Sequence, residues 1–147
     1  MDTLIFQYLA ERHCSAQWRD MLAALAAELD DTLDVASLRE LMRRVGVRFA
    51  ERFPLPSCST LTELEQALQA IWREIDWGWV QIKDLADELK IHHYCSPLRT
   101  ALGHDDWSPA FLEGAYQHWF RALGSSDSLQ VSQSAPFDVH GNLVFRF

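Results

Sequence analysis

In the first half of the chain, apolar residues recur every three or four positions, which is the spacing of amphipathic helices. One such stretch runs from about residue 16 to residue 29. A second begins near Asp34 or Ser37 and ends at a pair of prolines, and a third follows Thr60. Residues 1–15 show no clear period, so we expect a short helix or an arm there. This half of the chain is therefore predicted to be helical.

The period then changes to that of a strand. Residues 77–82 and 89–95 alternate with a period of two, and a turn near residues 85–88 would join them into a hairpin. The best-marked helix of the chain follows. Ser108 is its predicted N-cap, with Pro109 at the first helical position, and a glycine comes directly after the last turn.

Two weaker strand patterns, at residues 129–131 and 143–147, close the chain. We predict one α+β domain over residues 1–147, with an arm or short helix at residues 1–15. In this fold, N-terminal helices precede a small antiparallel sheet, and a further helix is inserted between its strands.

Composition narrows the possible partners and location. The chain has 147 residues and a formal net charge of −8. An acidic surface repels phosphate backbones and anionic lipid, so nucleic acid and membrane surfaces are not expected partners. The N-terminus lacks the basic segment of a signal peptide, and no run approaches the roughly 18–20 apolar residues of a membrane span. Three widely spaced cysteines fit a reducing compartment, so we expect a cytoplasmic protein.

The sequence offers little catalytic chemistry. No spacing among its histidines and cysteines matches a zinc motif, so we expect no metal and no cofactor. The acid pairs at residues 30–31 and 105–106 are adjacent in sequence and do not share a helix face. No P-loop, nucleophile elbow or dinucleotide motif is present, and we predict a protein that is not an enzyme. The possible metal ligands considered are His13, Cys14, Cys58, His92, His93 and Cys95.

Aromatic residues are the remaining candidates for function, because six tryptophans are many for one small domain. Flat rings can stack on the C–H faces of sugars, although a role in the core or in a subunit contact is the interpretation we favour. Gly46 and Ala50 form a notch of small residues where another backbone could approach closely. The aromatics considered for saccharide stacking are Trp77, Trp79, Tyr94, Tyr116 and Trp119.

With these residues placed, the chain resembles the cellulose synthase operon protein D family of bacteria over almost its whole length. No single motif is specific, but the ordered set is. The set comprises Glu28 with Asp30-Asp31, Arg43-x-Val-Gly, Pro54-Leu-Pro-x-Cys58-x-Thr60, Leu64-Glu65, Trp77-Gly78-x-Val80 and Leu112-Glu113-Gly114-x-Tyr116-x-x-Trp119.

The resemblance implies a non-catalytic accessory subunit of cellulose synthesis and export. Members of this family assemble as ring-like octamers, built as tetramers of dimers, with passages proposed to guide glucan chains. They are thought to align synthase complexes so that crystalline cellulose forms. The implied partners are other cellulose-synthase operon proteins, including a Pro-rich accessory protein, and glucan itself. Since no export signal is seen, we expect a cytoplasmic scaffold at the inner-membrane synthase complex rather than a periplasmic protein.

Two sets of candidate positions follow from the pattern and the resemblance together. The candidate oligomer interface comprises Trp18, Gly46, Ala50, Phe145 and Phe147. The candidate glucan or partner contacts are Phe6, Tyr8, Trp77 and Trp79. A different hypothesis stays open, because the order of elements is also similar to the small subunits of vesicle-tethering complexes. It predicts a dimeric module that binds a small ligand or a lipid in a deep apolar pocket.

Overall fold

The structure is a computed structural model that describes residues 2–147. It confirms the α+β class, because four helices precede a four-stranded antiparallel sheet and two more lie between its strands. The elements are α1 (Asp2–His13), α2 (Ala16–Thr32), α3 (Val35–Glu51), α4 (Leu61–Glu74), β1 (Trp79–Asp84), β2 (Leu89–Tyr94), α5 (Leu98–Leu102), α6 (Ala110–Ala122), β3 (Ser132–Ala135) and β4 (Leu143–Arg146).

At the starts of the helices, side-chain oxygens accept hydrogen bonds from backbone N–H groups that have no partner within the helix. The Oδ1 of Asp34 accepts the N–H of Ser37 at 2.7 Å, so α3 begins directly after Asp34 and Ser37 lies in its first turn. The hydroxyl of Thr60 accepts the N–H of Glu63 at 3.1 Å, and the carboxylate of Glu63 in turn accepts the N–H of Ser59 at 2.6 Å. These bonds fix where α3 and α4 begin.

Helices α3 and α6 pack together at a point where each carries a glycine. A Cβ at Gly46 would lie 2.8 Å from the nitrogen of Ala115 and closer still to the carbonyl oxygen of Phe111. A Cβ at Gly114 would lie 2.7 Å from the carbonyl carbon of Arg43. Gly46 therefore does not break α3, and the notch predicted from the sequence is filled by α6 of the same chain.

The sheet has the strand order β1-β2-β4-β3, with every neighbouring pair antiparallel. The predicted hairpin is confirmed, since Leu85 and Glu88 exchange backbone hydrogen bonds of 2.9 and 3.4 Å across its turn. One face of the sheet contributes Val80, Ile91 and Phe145 to the core that it shares with the helices.

Two boundaries differ from the prediction. The third strand covers residues 132–135 rather than 129–131, because the N–H of Val131 donates to the side chain of Gln117 at 2.6 Å instead of to a strand. Ser108 is not a helix cap: its buried hydroxyl has no hydrogen-bond partner within residues 2–147, and α6 starts at Ala110.

Helix α4 closes one edge of the sheet. Glu65 accepts the N–H of Ile82 at 2.7 Å, and Gln69 accepts the N–H of Val80 at 2.9 Å. Because these two side chains lie four residues apart on α4, they match alternate N–H groups of β1. Two N–H groups on the unpaired edge of β1 thus already donate hydrogen bonds to α4.

Helix α6 closes the other edge in the same way. Gln117 accepts the N–H of Val131, and Glu113 accepts the N–H of Gln133 at 2.8 Å. Side chains thus occupy two N–H groups of β1, one of β3 and the one just before β3, which disfavours pairing with a strand from another chain. What the sheet leaves open is its outer face.

Candidate interaction surfaces

Three residues predicted for a subunit contact lie inside the fold. Gly46, Ala50 and Phe145 are buried. Gly46 contacts α6, Ala50 belongs to the core, and Phe145 packs on Tyr116 with ring centroids 5.8 Å apart. The prediction is wrong for these three positions, because the chain's own helices cover them.

Phe147 is half-buried at the end of the chain. Its ring packs on Phe120 with centroids 4.6 Å apart, and its backbone pairs with Leu89 through bonds of 2.9 and 3.0 Å. Most of its contacts are therefore internal. Trp18, the fifth residue of the predicted set, is 57% exposed on α2.

Trp77 takes part in a network of stacking contacts and hydrogen bonds in the core. Its ring stacks on Trp72 at 5.7 Å, and its carbonyl oxygen lies 2.7 Å from Nε2 of His93. Since a carbonyl can only accept, His93 carries its proton on Nε2, and its Nδ1 accepts the hydroxyl proton of Tyr116 at 2.6 Å. Trp72 donates its indole N–H to the Tyr116 oxygen at 3.1 Å. Trp77 is thus held mainly by core contacts.

The imidazole of His93 stays neutral in this network. Burial lowers the pKa of His93 to about 4, although the bond to the Trp77 carbonyl acts in the opposite direction. Burial also raises the pKa of Tyr116 well above its ordinary value. Both groups therefore hold the start of the hairpin in place and take no charge near neutral pH.

Gly78 makes the step from this core to the open side of the sheet. Its φ is +82°, and a Cβ there would lie 2.9 Å from the carbonyl oxygen of Cys95. The next residue, Trp79, is 44% exposed and stacks on Tyr94 with centroids 5.2 Å apart. Of the rings considered for saccharide stacking, Trp79 and Tyr94 are accessible, whereas Tyr116 and Trp119 are buried.

Helices α1 and α2 leave their apolar side chains largely uncovered. No residue of α1 is buried, and Ala26 is the buried residue of α2. Arg19 fixes the corner between the two helices by donating to the carbonyl oxygens of Glu11 and Cys14. We call the large exposed apolar residues of these helices that do not line the cleft described next the α1–α2 surface. It consists of Leu4, Ile5, Tyr8, Trp18, Met21 and Leu25.

A cleft of about 780 Å³ separates α1 from the rest of the domain. The ring of Phe6 spans it at one point, with its centroid 4.5 Å from that of His140. The cleft combines aromatic walls with charged and hydroxyl groups. Its lining includes Phe6, Arg73, Asp76, Trp79, Thr100 and His140. Of the predicted glucan contacts, the cleft brings together Phe6 and Trp79, whereas Tyr8 does not line it.

A buried carboxylate joins three elements of the fold. Glu113 on α6 accepts from Arg39 at 2.7 Å and from Arg43 at 3.2 Å, both on α3. Its second oxygen accepts the N–H of Gln133 in β3. Both oxygens of this carboxylate are therefore used to hold the fold together.

Within residues 2–147 no group of three histidine, cysteine or acidic side chains is arranged to hold a metal ion. None of the helices in this part of the chain has the length and hydropathy needed to cross a bilayer.

Comparison with known proteins identifies the family. The family model for the D subunit of cellulose synthase matches residues 4–147. The chain belongs to this cellulose synthase D-subunit family. It is 35% identical over 102 residues to the cellulose synthase operon protein D of Komagataeibacter xylinus and to that of Komagataeibacter sucrofermentans. That alignment covers 67% of this chain and 65% of each relative, just under two thirds of their length.

Several residues that carry the likeness to the D-subunit family have structural tasks. Thr60 caps α4, Glu65 closes an edge of the sheet, and Gly78 makes the step into β1. Glu113 joins α3, α6 and β3, and Gly114 permits the contact between helices. In this chain these residues fix a helix start, a sheet edge and the contacts between elements, whereas the exposed surfaces lie mostly outside them.

Proposed function

We propose that this protein is a non-catalytic accessory subunit of bacterial cellulose synthesis that acts by assembling into a scaffold. In this proposal, copies form a ring-like homo-octamer built from dimers, and the ring organises synthase complexes so that crystalline cellulose forms. It works in the cytoplasm beside the inner-membrane synthase, with other operon proteins, including a Pro-rich one, as partners. Membership of the D-subunit family supports the role in cellulose synthesis.

The observation that carries the assembly is the α1–α2 surface. Leu4 is 70% exposed and the other five side chains are close to half exposed, which is unusual for neighbouring elements of a stable monomer. Burying the exposed part of each contributes roughly 1 kcal/mol. A dimer buries this surface on both copies, which gives roughly 12 kcal/mol, but association costs about 4–15 kcal/mol, so a single contact of this kind is weak. A closed ring supplies more, because every copy is then held by two neighbours.

The experiment replaces two anchors of this surface, Trp18 and Leu25, with glutamate. The matched control, Leu85→Glu with Leu129→Glu, puts the same charges on two apolar residues that are exposed to a similar degree elsewhere. Mass is measured by light scattering after size exclusion over a range of protein concentrations. We expect an eightfold multiple of the 16.9 kDa chain for the wild type and the control, and a species no larger than a dimer for Trp18→Glu with Leu25→Glu.

Circular dichroism spectra of all three proteins check that the exposed substitutions leave the fold intact. A wild-type protein that remains monomeric at every concentration would contradict the scaffold proposal. Equal loss of mass in the control would instead contradict the assignment of the α1–α2 surface.

We place the proposed glucan contact in the cleft beneath α1, because Phe6 and Trp79 offer rings there while Arg73 and Thr100 offer polar groups. Isothermal titration with cellohexaose tests it, with Trp79→Ala expected to weaken binding at least tenfold. Trp18→Ala, which removes an exposed tryptophan outside the cleft, should leave it unchanged. Equal affinities for the wild type and Trp79→Ala would refute this location.

The same cleft supports a second candidate, a module that binds a small ligand, because its volume falls within the roughly 300–1,000 Å³ of ligand sites. Its lining is mainly apolar, with Arg73 and Asp76 as charged groups, and this suits a ligand that combines apolar and polar parts. Native mass spectrometry of the purified protein decides between the two. A co-purifying ligand favours the second candidate, whereas a bare protein that binds cellohexaose favours the first.

A further inference from the structure

The outer face of the sheet carries three cations side by side. Lys83 of β1 is the register partner of Lys90 in β2, and Lys90 is the register partner of Arg146 in β4. Neighbouring strands lie about 4.8 Å apart, so the row crosses the sheet within about 10 Å. Like charges placed directly opposite each other destabilise a sheet. We call these three residues the cation row.

The chain itself neutralises little of this charge. Glu88 lies 3.4 Å from Lys90, and Arg146 donates to the hydroxyl of Ser132 at 3.3 Å. Within residues 2–147, neither Lys83 nor Arg146 has an acidic side chain within 4 Å. The row is therefore electropositive, although the whole chain has a net charge of −8.

The rest of this face is accessible and has an apolar end. Gln81 and His92 separate the cation row from the stacked rings of Trp79 and Tyr94. Four residues along a strand span about 13 Å, which sets the distance between the row and the rings. Trp79, Gln81 and Lys83 are all exposed, so no helix covers this side of β1.

We propose that the outer face of the sheet binds an acidic segment of a partner protein. Carboxylates of the segment lie on the cation row, and an apolar or aromatic residue about 13 Å away lies on Trp79 and Tyr94. Since α4 and α6 have closed both edges of the sheet, the segment docks on the face and does not add a strand. This contact goes beyond the proposed function, shares only Trp79 with the proposed glucan cleft, and does not depend on self-assembly.

Charge explains why the partner is a short acidic segment and not a long polyanion. Electrostatic interactions between exposed charges are largely screened beyond about 8 Å at physiological salt. A few carboxylates bound at the row therefore interact mainly with its three cations. A long phosphate chain would extend beyond the row and meet the acidic remainder of the surface.

The test measures binding of a fluorescein-labelled peptide of six glutamates and one tryptophan by fluorescence anisotropy. The variant Lys83→Gln with Arg146→Gln should bind at least tenfold more weakly than the wild type. The control, Arg44→Gln with Arg48→Gln, removes the same charge from α3, outside the sheet, and should bind within twofold of the wild type. Binding by the wild type should weaken as salt is raised.

Three outcomes would overturn the proposal. The first is no binding of the peptide by the wild type up to about 1 mM. The second is equal weakening in the control, which would show a response to net charge alone. The third is tighter binding of inorganic polyphosphate of equal charge with the same dependence on Lys83 and Arg146, which would assign the row to phosphate.

The stability of Lys83→Gln gives an independent readout. If the opposed cations destabilise the sheet, removing the charge of Lys83 should stabilise the protein, and this variant should have a higher urea midpoint than the wild type. A lower midpoint would show that Lys83 stabilises the fold, and the argument from opposed charges would then fail.

Discussion

Replacing Gly46 with alanine has two effects of opposite sign on the stability of the fold. Gly46 lies in the middle of α3, where alanine is favoured over glycine by about 1 kcal/mol. The same substitution adds a Cβ within 3 Å of the backbone of α6. The opposing atoms belong to the main chain of Phe111 and Ala115, so no side-chain rotation can relieve the contact, and the helices have to move apart.

The size of the effect follows from these two terms. Overpacking a core costs typically about 1–3 kcal/mol, and contact with backbone atoms favours the upper end. After subtraction of the helix gain, Gly46→Ala should destabilise the protein by about 2 kcal/mol. Gly114→Ala should behave alike, because its Cβ would meet the backbone at Arg43. The double variant should lose less than the sum of the two, since the first methyl already separates the helices.

Urea unfolding followed by circular dichroism measures these changes, at one fixed protomer concentration because assembly shifts apparent stability. Ala24→Gly, on the exposed part of α2, calibrates the helix term. An increase in stability of about 1 kcal/mol for Gly46→Ala would mean that helix propensity alone operates and would refute the contact between helices. Strict additivity of the two glycine substitutions would refute their shared origin.

Three further predictions concern polar side chains that hold the fold together. His93 is neutral when folded, with a pKa of about 4, but binds a proton near 6.5 when unfolded, so stability should fall by up to about 3 kcal/mol between pH 6.5 and 4. Urea midpoints across this range should show that loss in the wild type, and an equal slope in His93→Gln would contradict it. Glu65→Ala leaves the N–H of Ile82 unpaired and should cost about 1–3 kcal/mol while speeding aggregation in light scattering, and an unchanged aggregation rate would count against closure of this edge. Glu113→Gln breaks a buried ion pair and should cost about 3 kcal/mol in chemical denaturation. The exposed Glu40→Gln is its control, and an equal loss in both would contradict the role given to burial.

Periodicity predicted the helices and the hairpin because their apolar faces are long enough to show the period. It missed β3, whose residues Ser-Gln-Ser-Ala have no apolar alternation. That strand forms because β4 pairs with it on one side and Glu113 accepts from Gln133 on the other. Both partners lie outside the strand's own sequence, so no local signal was available. Helix α5 was missed because five residues are too few to show a period.

The candidate sites were harder to predict, because a helical stripe does not reveal what covers it. The stripes of α2 and α3 have similar spacing, yet α3 is buried against α6 while Trp18 on α2 stays exposed. Gly46 indicated a close approach but not which backbone would make it. The cation row could not be seen at all, since Lys83, Lys90 and Arg146 become neighbours only through the register of three strands.

The α1–α2 surface and the cation row share no residue, and this separation bears on how a scaffold could work. The α1–α2 surface is apolar and lies on the N-terminal helices, whereas the cation row is charged and lies on the sheet. Salt should therefore weaken partner binding while leaving self-association intact or strengthening it. A ring joined through its helices would present one cation row per copy, so a partner with several acidic segments could bind several copies at once. The resulting avidity would exceed the affinity of any single row, which is the property that a chain assembling into arrays requires.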